Sequence, residues 1–320
     1  MDKKDPLNKY HTVAFYNLEN LFDTEDDKYT LDNDFLPESD RNWTPKRYEK
    51  KIYKLGTAIS GVGPEGANDA PVLIGVAEVE NKKVLGDLIE SKQLVTFDYD
   101  FVHYNSPDER GIDVGLLYQK EHFEVTYSES IPILLYTDEG LRDFTRDTLY
   151  VNGLLNGESI HVFVNHWSSR RSGINETSQK RIKAAQTVRE KINTIKANEE
   201  DPHIIIMGDF NDDPTSESVQ NHLMDTDLYN PMQKLLTIYT GSLNYKGEWN
   251  LFDQIIFSTN FFDYKKGTHS FASADIFDED FLTQWKGKYK GNPFRTYTGR
   301  KYLGGYSDHF PVYIRLKFNT

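Results

Sequence analysis

Seven short apolar runs, rich in β-branched and aromatic residues, predict the strands of this chain. They are TVAFYN (12–17), PVLIGVAE (71–78), DVGLLY (113–118), HVFVNH (161–166), HIIIMG (203–208), FDQIIFS (252–258) and FPVYIRL (310–316). The stretch 204–207 is apolar at every position, which is typical of a strand buried on both faces. We therefore expect at least part of the sheet structure to be covered on both sides.

Apolar residues at helical spacing predict helices between some of these strands. The first helix begins at Thr44 and Pro45, a favourable pair for the N-cap and the first turn. Its apolar positions are Tyr48, Ile52, Leu55 and Ile59. A longer amphipathic helix is marked by Ile182, Ala185, Val188, Ile192 and Ile195. Shorter helices are predicted over 81–89 and 216–223.

The chain also carries a hairpin signal that excludes a purely parallel sheet. Asn156 and Gly157 separate two β-rich runs, as in a two-residue hairpin turn. We therefore predict mixed sheets with flanking helices. Irregular regions at 23–43 and 260–307 are long for loops in a compact domain, and such loops more often carry function. Without a repeat or a linker, the expected organisation is an N-terminal extension at 1–10 and a single domain over 11–320.

Composition limits the chemistry that is available. The 320 residues carry a formal charge of −13, which argues against a nucleic-acid coat protein or a membrane-surface binder. Cysteine is absent, so any metal must be bound by oxygen or imidazole ligands. No apolar stretch is long enough to span a membrane, and the start, MDKKDPLNKY, lacks the apolar segment of an export signal. We expect a soluble monomer, either cytoplasmic or exported with its leader absent from this chain.

Polar residues of the same few types accompany the apolar runs. Strand ends usually pass into ordinary polar turns, but five of these runs carry acid, amide or imidazole groups at or beside one end. The side chains are Asn17 with Glu19, Glu78, His166, Asp209 with Asn211, and Asp308 with His309. Sites in layered α/β proteins form where strand ends converge. We therefore predict that these groups meet at one site.

The segments YNLEN, AEVEN, NHW, GDFND and SDH, in this order, resemble the endonuclease/exonuclease/phosphatase superfamily. The resemblance covers about residues 12–316, and GDFN with a terminal SDH is specific in combination; a bacterial-type member is expected. It implies an α/β fold of the DNase-like kind, a four-layer α/β sandwich with two mixed, mainly antiparallel β-sheets packed face to face between outer helices. It also implies metal-dependent hydrolysis of phosphate esters.

The same resemblance implies a metal site and a set of catalytic residues. Glu78 is the expected principal ligand of Mg²⁺ or Mn²⁺, with Glu19 and Asp308 near the same ion, because such hard ions prefer carboxylates. Asp209 would orient or deprotonate the attacking water. The full set of expected catalytic residues is His166, Asp209, Asn211, Asp253 and His309, with Asp253 orienting His309 toward a phosphoryl oxygen.

Substrate contacts are expected from an amide and several cations. Asn17 would lie beside the metal-bound phosphate. The arginines expected to bind phosphate are Arg110, Arg146, Arg170 and Arg171, with internal ion pairing as the alternative for Arg110 and Arg146. The stretch 285–307 holds six Lys or Arg residues among aromatic ones and no acid. It is either a wall that binds phosphates and bases or a solvated loop whose tyrosines cover the core.

These features predict a phosphodiesterase, in the first place an endonuclease with nucleic acid as its partner. Because tight, long-footprint DNA binding draws its affinity from counterion release, the negative charge favours a short footprint. The alternative is a phosphatase or phosphodiesterase of a small or lipid-linked phosphate, of the inositol phosphate or sphingomyelin type. A catalytically inactive binding protein is disfavoured, because every matched position carries the expected residue type.

Overall fold

Two open, mixed sheets of six strands each form the centre of the molecule in the computed structural model, which describes residues 10–64 and 70–320. The strands in chain order are β1 (Tyr10–Leu21), β2 (Leu73–Val79), β3 (Tyr99–His103), β4 (Asp113–Gln119), β5 (Phe123–Ile131), β6 (Leu135–Tyr136), β7 (Arg142–Asp143), β8 (Thr148–Leu155), β9 (Glu158–His166), β10 (His203–Asp209), β11 (Leu228–Tyr229), β12 (Leu243–Tyr245), β13 (Glu248–Asn250), β14 (Asp253–Ser258), β15 (His269–Ile276), β16 (Tyr297–Thr298), β17 (Lys301–Tyr302) and β18 (Val312–Phe318). The first sheet has the order β15-β18-β1-β2-β4-β3 and the second has the order β11-β14-β10-β9-β8-β5. The remaining strands pair as the hairpins β6–β7, β12–β13 and β16–β17.

Each large sheet has one parallel pair at its centre. In the first sheet β1 lies parallel to β2, and in the second sheet β9 lies parallel to β10. The neighbours β18 and β14 run antiparallel to β1 and β10. Two parallel strands end at the same edge of a sheet, and an antiparallel neighbour begins there. Because β4 and β8 also run antiparallel to β2 and β9, each sheet presents two strand ends between two strand starts at one edge.

One hydrophobic core fills the space between the sheets. Ile205 and Met207 of β10 are fully buried in it. Gly75 in β2 marks a close approach, because a Cβ atom there would lie 2.5 Å from Sδ of Met207. The alternate residues of β10, Ile204 and Ile206, pack in a second cluster on the other face of the strand. The continuous apolar run of β10 is thus buried on both faces, as predicted.

Within residues 10–64 and 70–320, three α-helices cover the outer faces of the sheets: α1 (Pro45–Gly61), α2 (Lys82–Ile89) and α3 (Ile174–Asn198). The apolar side of α3, which includes Val188 and Ile192, packs on the outer face of the second sheet. Helix α2 lies against the first sheet, where a Cβ atom on Gly115 would be 3.2 Å from Leu85, and α1 packs beside α2. This is the predicted four-layer α/β sandwich. None of the helices in the described ranges has the length and hydropathy to cross a membrane.

All seven predicted strands are present, as β1, β2, β4, β9, β10, β14 and β18. The predicted hairpin joins β8 to β9 through Asn156 and Gly157, with φ values of +49° and +92°. Positive φ at both central residues is what a type I′ turn requires. The prediction of an irregular region at 260–307 is wrong in part, because β15 lies inside it.

The predicted helices are found with small differences. Thr44 precedes α1 as its N-cap residue, although its side chain makes no capping hydrogen bond. The expected short helix at 216–223 is a π-helical turn over Ser218–Leu223. Residues 1–9 of the predicted extension lie outside the described residues, and Tyr10 begins β1. The single domain over 11–320 stays a prediction, with which the shared core is consistent.

Candidate active site

Three neighbouring strands of the second sheet place a row of catalytic candidates side by side. In the strand register, Asp209 at the end of β10 pairs with His166 on β9 and with Asp253 on β14. All three side chains are buried. The buried strand β10 therefore delivers its carboxylate to the sheet edge between an imidazole and a second carboxylate.

His309, which precedes β18 of the first sheet, contacts this row from the facing sheet. Its Nδ1 donates a hydrogen bond to Oδ2 of Asp253 over 2.6 Å, and its backbone N–H donates to Oγ of Ser307 over 3.1 Å. Burial lowers the pKa of His309, but the charge and hydrogen bond of Asp253 outweigh burial and hold this pKa well above its usual range. His309 is therefore an imidazolium with Nε2–H left for another acceptor.

Asp209 lies at the centre of the site. Its Oδ1 accepts a hydrogen bond from the backbone N–H of Asn211 over 2.9 Å, and its Oδ2 accepts one from Nδ2 of Asn17 over 3.0 Å, across the two sheets. Burial and then the charge of Asp253 raise the pKa of Asp209 to about 7, against the opposing charge of His309. A carboxylate with a pKa near neutrality is suited to accept a proton from water.

His166 faces Asp209 from the other side as a neutral imidazole. Its Nε2 lies 3.7 Å from Oδ2 of Asp209 and 3.9 Å from Oε1 of Glu78. Burial, followed by the charges of Arg146 and Arg110, lowers the pKa of His166 well below its usual range. The ring therefore lies between two carboxylates without a charge of its own, which allows it to donate a hydrogen bond to an incoming oxygen.

Arg146 supports the strand end that carries His166. Its guanidinium donates to the backbone oxygen of His166 over 3.2 Å and to that of Trp167 over 2.7 Å. Its Nη1 pairs with Oδ2 of Asp108 at 2.9 Å, and the whole side chain is buried. Of the two interpretations open for Arg146, this geometry favours internal ion pairing over phosphate contact.

Glu78 lies at a bulge where the parallel pair of the first sheet changes register. Its φ of +61° is in the left-handed region, as are those of Glu19 and Asn20 on the neighbouring strand. Such conformations cost energy and cluster at functional sites. Oε2 of Glu78 accepts a hydrogen bond from the backbone N–H of Asn20 over 2.8 Å, whereas Oε1 stays 3.9 Å from Nη1 of Arg110. The bulge thus presents one carboxylate oxygen toward the site.

Glu19 and Asp308 share the guanidinium of Arg295. Nη2 of Arg295 donates to Oδ2 of Asp308 over 2.5 Å, and its Nε lies 3.7 Å from Oε1 of Glu19. Glu19 also accepts a hydrogen bond from the backbone N–H of Thr296 over 2.5 Å. Burial and then the charge of Asp308 raise the pKa of Glu19 to about 7, against the opposing charge of Lys51. These two acids therefore form a cluster with cations beside Glu78 rather than an open pair of ligands.

The compact group of acid and histidine side chains in the site does not include Glu78, the expected metal ligand. Among the described residues, one set of three acid or histidine side chains has its ligand atoms within 4.8 Å of one another, and it comprises Asp209, Asp253 and His309. In this set the Nδ1 of His309 is occupied by its hydrogen bond to Asp253, and an imidazolium has no lone pair for a metal. Glu78 fits a hard divalent ion better, because its carboxylate is partly exposed with one oxygen outside close contacts.

Asn211 and two arginines line the site beyond β10. Asn211 has a φ of +49°, and its Nδ2 donates to the backbone oxygen of Trp167 over 2.9 Å. Arg170 donates to the backbone oxygen of Asn211 over 2.7 Å and pairs with Oδ1 of Asp212 at 2.7 Å. Arg171 is exposed, and its charge contributes to the low pKa of His166. Of these two arginines, Arg171 is thus the one that faces solvent near His166.

Two further residues, Lys51 and Ser307, hold the site together and were not predicted. Oγ of Ser307 donates to the backbone oxygen of Asn17 over 2.6 Å, which joins β1 to the segment before β18. Lys51 is fully buried, although it lies on a helix with many charged residues. Lys51 lies three residues after Tyr48 and four before Leu55, which places it on the apolar side of α1. This spacing is the feature of the sequence that could have indicated a buried lysine.

Three solved structures show the same fold at low sequence identity. An endonuclease/exonuclease/phosphatase family protein from Bacteroides thetaiotaomicron has a TM-score of 0.61 and 17% identity, with 97% of this chain and 98% of that chain covered. A mannosyl-6-phosphatase from the same organism has a TM-score of 0.61 and 16% identity, covering 96% and 100%. D. rerio TDP2 complexed with a single strand DNA product has a TM-score of 0.55 and 16% identity, covering 96% and 99%.

A family comparison goes further than these fold similarities. No curated protein sequence matches the chain. A family model described as "Endonuclease/Exonuclease/phosphatase family" matches residues 12–318. The match extends over nearly the whole length and confirms the resemblance found in the sequence. The chain therefore belongs to the endonuclease/exonuclease/phosphatase family.

Proposed function

We propose that this chain is a metal-dependent phosphodiesterase, an endonuclease that cleaves nucleic acid by in-line attack of a water oriented by Asp209. Membership of the family supports the reaction class, metal-dependent hydrolysis of a phosphate ester. The observation that carries the proposal is the row of His166, Asp209 and Asp253, with His309 bonded to Asp253. In this row the carboxylate of Asp209, with a pKa of about 7, lies between the neutral imidazole of His166 and the imidazolium of His309.

Each polar group in this arrangement has one task. Asp209, held by Asn17, orients the attacking water and accepts its proton. The imidazolium of His309 stabilises the charge that develops on a phosphoryl oxygen through Nε2–H, while Asp253 fixes the orientation of the ring and stabilises its positive charge. His166 contacts another phosphoryl oxygen from the opposite side, because it lies across Asp209 from Asp253.

The metal and the phosphate would be held by residues next to this row. Glu78 would hold Mg²⁺ or Mn²⁺, with Glu19 and Asp308 as further acids nearby. When bound, such an ion polarises a phosphoryl oxygen and relieves charge on the leaving oxygen. Arg110 and the exposed Arg171 would bind the non-bridging oxygens, which the planar guanidinium suits.

A phosphatase or phosphodiesterase of a small or lipid-linked phosphate is the second candidate function. The cations Arg146, Arg170 and Arg295 are all paired with acids of the protein. Few cations around the site are therefore free for a long polyanion, whose binding depends on such contacts. Two proteins of the same fold are a mannosyl-6-phosphatase and a TDP2 complexed with a single strand DNA product, so the fold accommodates both classes.

A comparison of substrates tests the proposal. Plasmid DNA, RNA oligonucleotides, bis- and mono-p-nitrophenyl phosphate, inositol phosphates and sphingomyelin are each incubated with Mg²⁺, Mn²⁺ or EDTA. We expect metal-dependent nicking of the plasmid and cleavage of the bis ester, with both abolished by EDTA. If the protein hydrolyses inositol phosphates or sphingomyelin but neither DNA nor RNA, the second candidate function is favoured.

Variants connect the activity to the site. Asp209→Ala combined with His309→Ala removes the proton acceptor and the imidazolium, and we expect nicking to disappear. The matched control combines Asp225→Ala with His222→Ala, an exposed acid and a half-exposed histidine outside the site. The control should keep wild-type activity, and equal activity of both double variants would refute the mechanism.

A further inference from the structure

The basic stretch 285–307 has two parts with different surroundings. In the second part, Tyr297 is buried, and Tyr302 and Tyr306 are half-buried against helix α1. Arg47 of α1 lies over the ring of Tyr302 and Lys54 over that of Tyr306, each 4.3 Å from the ring centroid. For this part the structure favours the interpretation that tyrosines cover the core.

The first part of the stretch projects into solvent. Backbone hydrogen bonds from Gln284 N–H to the Asn292 oxygen (2.8 Å) and from Gly291 N–H to the Gln284 oxygen (2.9 Å) close its base. Trp285 is 68% exposed and Tyr289 is 48% exposed, which is unusual for such large aromatic side chains. A lysine accompanies each of them: Lys286 over Trp285 at 4.2 Å, and Lys288 over Tyr289 at 5.5 Å.

The hairpin β12–β13 carries a third residue of this kind. Tyr245 at its turn is 63% exposed, and Nζ of Lys246 lies 5.1 Å from its ring centroid. The hairpin contacts the loop directly, because Nδ2 of Asn292 donates to Oδ1 of Asn244 over 3.2 Å. Tyr245, Trp285 and Tyr289 therefore belong to two adjoining segments, and we call these three residues the aromatic platform.

The segment around this hairpin is also hydrogen-bonded to the backbone at Asp253 and next to His309. Oγ of Ser242, the residue before β12, accepts a hydrogen bond from the backbone N–H of Asp253 over 3.3 Å. The backbone oxygen of Ser242 accepts one from Phe310 over 2.7 Å, and Phe310 follows His309 in the chain. Trp249 of β13 stacks on Phe310 with ring centroids 6.1 Å apart. The hairpin that carries Tyr245 is thus anchored beside Asp253 and His309, and the loop that carries Trp285 and Tyr289 adjoins this hairpin.

We propose that the aromatic platform binds unpaired nucleotides of a single-stranded nucleic acid on one side of the scissile phosphate. Exposed aromatic faces stack on bases of any sequence, and the flanking lysines bind the phosphates between them. The stretch 285–307 has no acidic residue in a chain of net charge −13, so its charge is complementary to a polyanion and opposite to that of the whole protein. A duplex fits less well, because its bases are already stacked and paired.

This inference rests on the proposed function and adds a strand preference to it. Binding is measured by fluorescence anisotropy with a labelled oligothymidylate in EDTA, so that no turnover occurs. Trp285→Ala combined with Tyr289→Ala is expected to weaken binding about 10- to 100-fold. Cleavage of single-stranded DNA at low concentration should fall by the same factor, whereas cleavage of bis-p-nitrophenyl phosphate should not change, because that ester reaches only the catalytic row.

The matched control is Tyr264→Ala. Tyr264 is 71% exposed and precedes Lys265, as a platform residue would. Its hydroxyl contacts the backbone oxygen of Thr320, which follows the end of β18, whereas His309 precedes the start of that strand. Tyr264 therefore lies far from the site. This variant should bind the oligothymidylate as the wild type does. Circular dichroism at increasing temperature checks that the double variant is folded, which its exposed side chains lead us to expect.

The outcomes separate this inference from the function on which it rests. An unchanged dissociation constant in the double variant, with wild-type cleavage of DNA retained, would overturn the platform and leave the phosphodiesterase standing. Equal weakening for single strands and for a matched duplex would also overturn it. A wild-type protein that cleaves no phosphodiester would refute the function, and the anisotropy comparison would still decide whether the platform binds single strands.

Discussion

Lys51 is a fully buried cation that acts through its neighbours. Its Nζ donates to Oγ1 of Thr296 over 2.7 Å and to the backbone oxygen of Tyr306 over 2.5 Å, and it lies 3.9 Å from Oε2 of Glu19. Burial lowers the pKa of Lys51 to about 8, while the charge of Glu19 opposes this shift. The ammonium group therefore ties the basic loop and one acid of the site to helix α1.

Lys51→Met is expected to lower the free energy of unfolding by about 3–5 kcal/mol, because the carboxylate of Glu19 would lose a buried partner. Urea denaturation monitored by circular dichroism measures the change. Lys83→Met is the control on helix α2, where the lysine is half exposed and lies 3.3 Å from Oδ2 of Asp87. Its effect should stay below about 1 kcal/mol. Similar losses in both variants would contradict the anchoring role of Lys51.

Asp209→Asn is expected to reduce kcat for bis-p-nitrophenyl phosphate by about 10²- to 10⁴-fold, because an amide cannot accept the proton of the attacking water. Stability should change little, because the removal of a buried charge is offset by the loss of the hydrogen bond from Nδ2 of Asn17, which an amide nitrogen cannot accept. Initial rates and urea denaturation test the two expectations together. Asp213→Asn is the control from the same segment, where the carboxylate accepts a hydrogen bond from the backbone of Leu251. A loss of rate in both variants would show a structural effect.

Strand-end residues could be predicted from the sequence because an apolar run followed by an acid or an amide is visible in the sequence itself. Asp209 and His166 belong to this class, and the register places them side by side. Lys51 could not be found in this way, since a lysine on a helix is normally solvated and only the folded loop over α1 buries it. The left-handed backbone of Glu78 arises from a register shift between strands, which no local pattern encodes.

At the level of elements, the strands of the two large sheets that were not predicted lie at the edges of those sheets. They are β3 and β15 in the first sheet and β5 and β11 in the second. Strand β5 (Phe123–Ile131) buries only its first residue, so its sequence lacks the apolar pattern of a central strand. Central strands such as β10 bury both faces and are therefore visible in the sequence.

Gly208→Ala is expected to lower the free energy of unfolding by about 1–3 kcal/mol. A Cβ atom there would lie 2.5 Å from the backbone oxygen of Asn165 on the parallel neighbour β9, which cannot retreat without disturbing the strand pairing. Gly75→Ala is the comparison, because its Cβ would lie 2.5 Å from Sδ of Met207, the far end of a flexible side chain. Urea denaturation of both variants should show the smaller loss for Gly75→Ala, and the reverse order would contradict this account.

At the scale of the whole molecule, the two sheets are also joined at the end opposite the site. Nδ1 of His11 on β1 lies 2.9 Å from Nε2 of His269 on β15, and Nδ1 of His269 donates to Oε2 of Glu158 on β9 over 2.5 Å. Burial and then the charges of His269 and His122 lower the pKa of His11 to about 3. The layered architecture could be predicted from strand and helix patterns, but this contact between distant histidines could not.

Acidification is expected to destabilise the fold through His11. In the unfolded chain a histidine takes up a proton below a pH of about 6.5, whereas in the folded protein His11 stays neutral down to about pH 3. The unfolded state therefore binds more protons in this window, and the free energy of unfolding falls as the pH falls. One such group contributes at most about 1.4 kcal/mol per pH unit. Urea denaturation between about pH 7 and about pH 5 measures the slope.

His11→Gln removes the titrating group and should give a shallower dependence of stability on pH than the wild type. Slopes are compared instead of absolute stabilities, because the substitution also changes packing at neutral pH. His222→Gln, at a half-exposed histidine, should keep the wild-type slope. A full wild-type slope in His11→Gln would show that other groups govern the acid sensitivity.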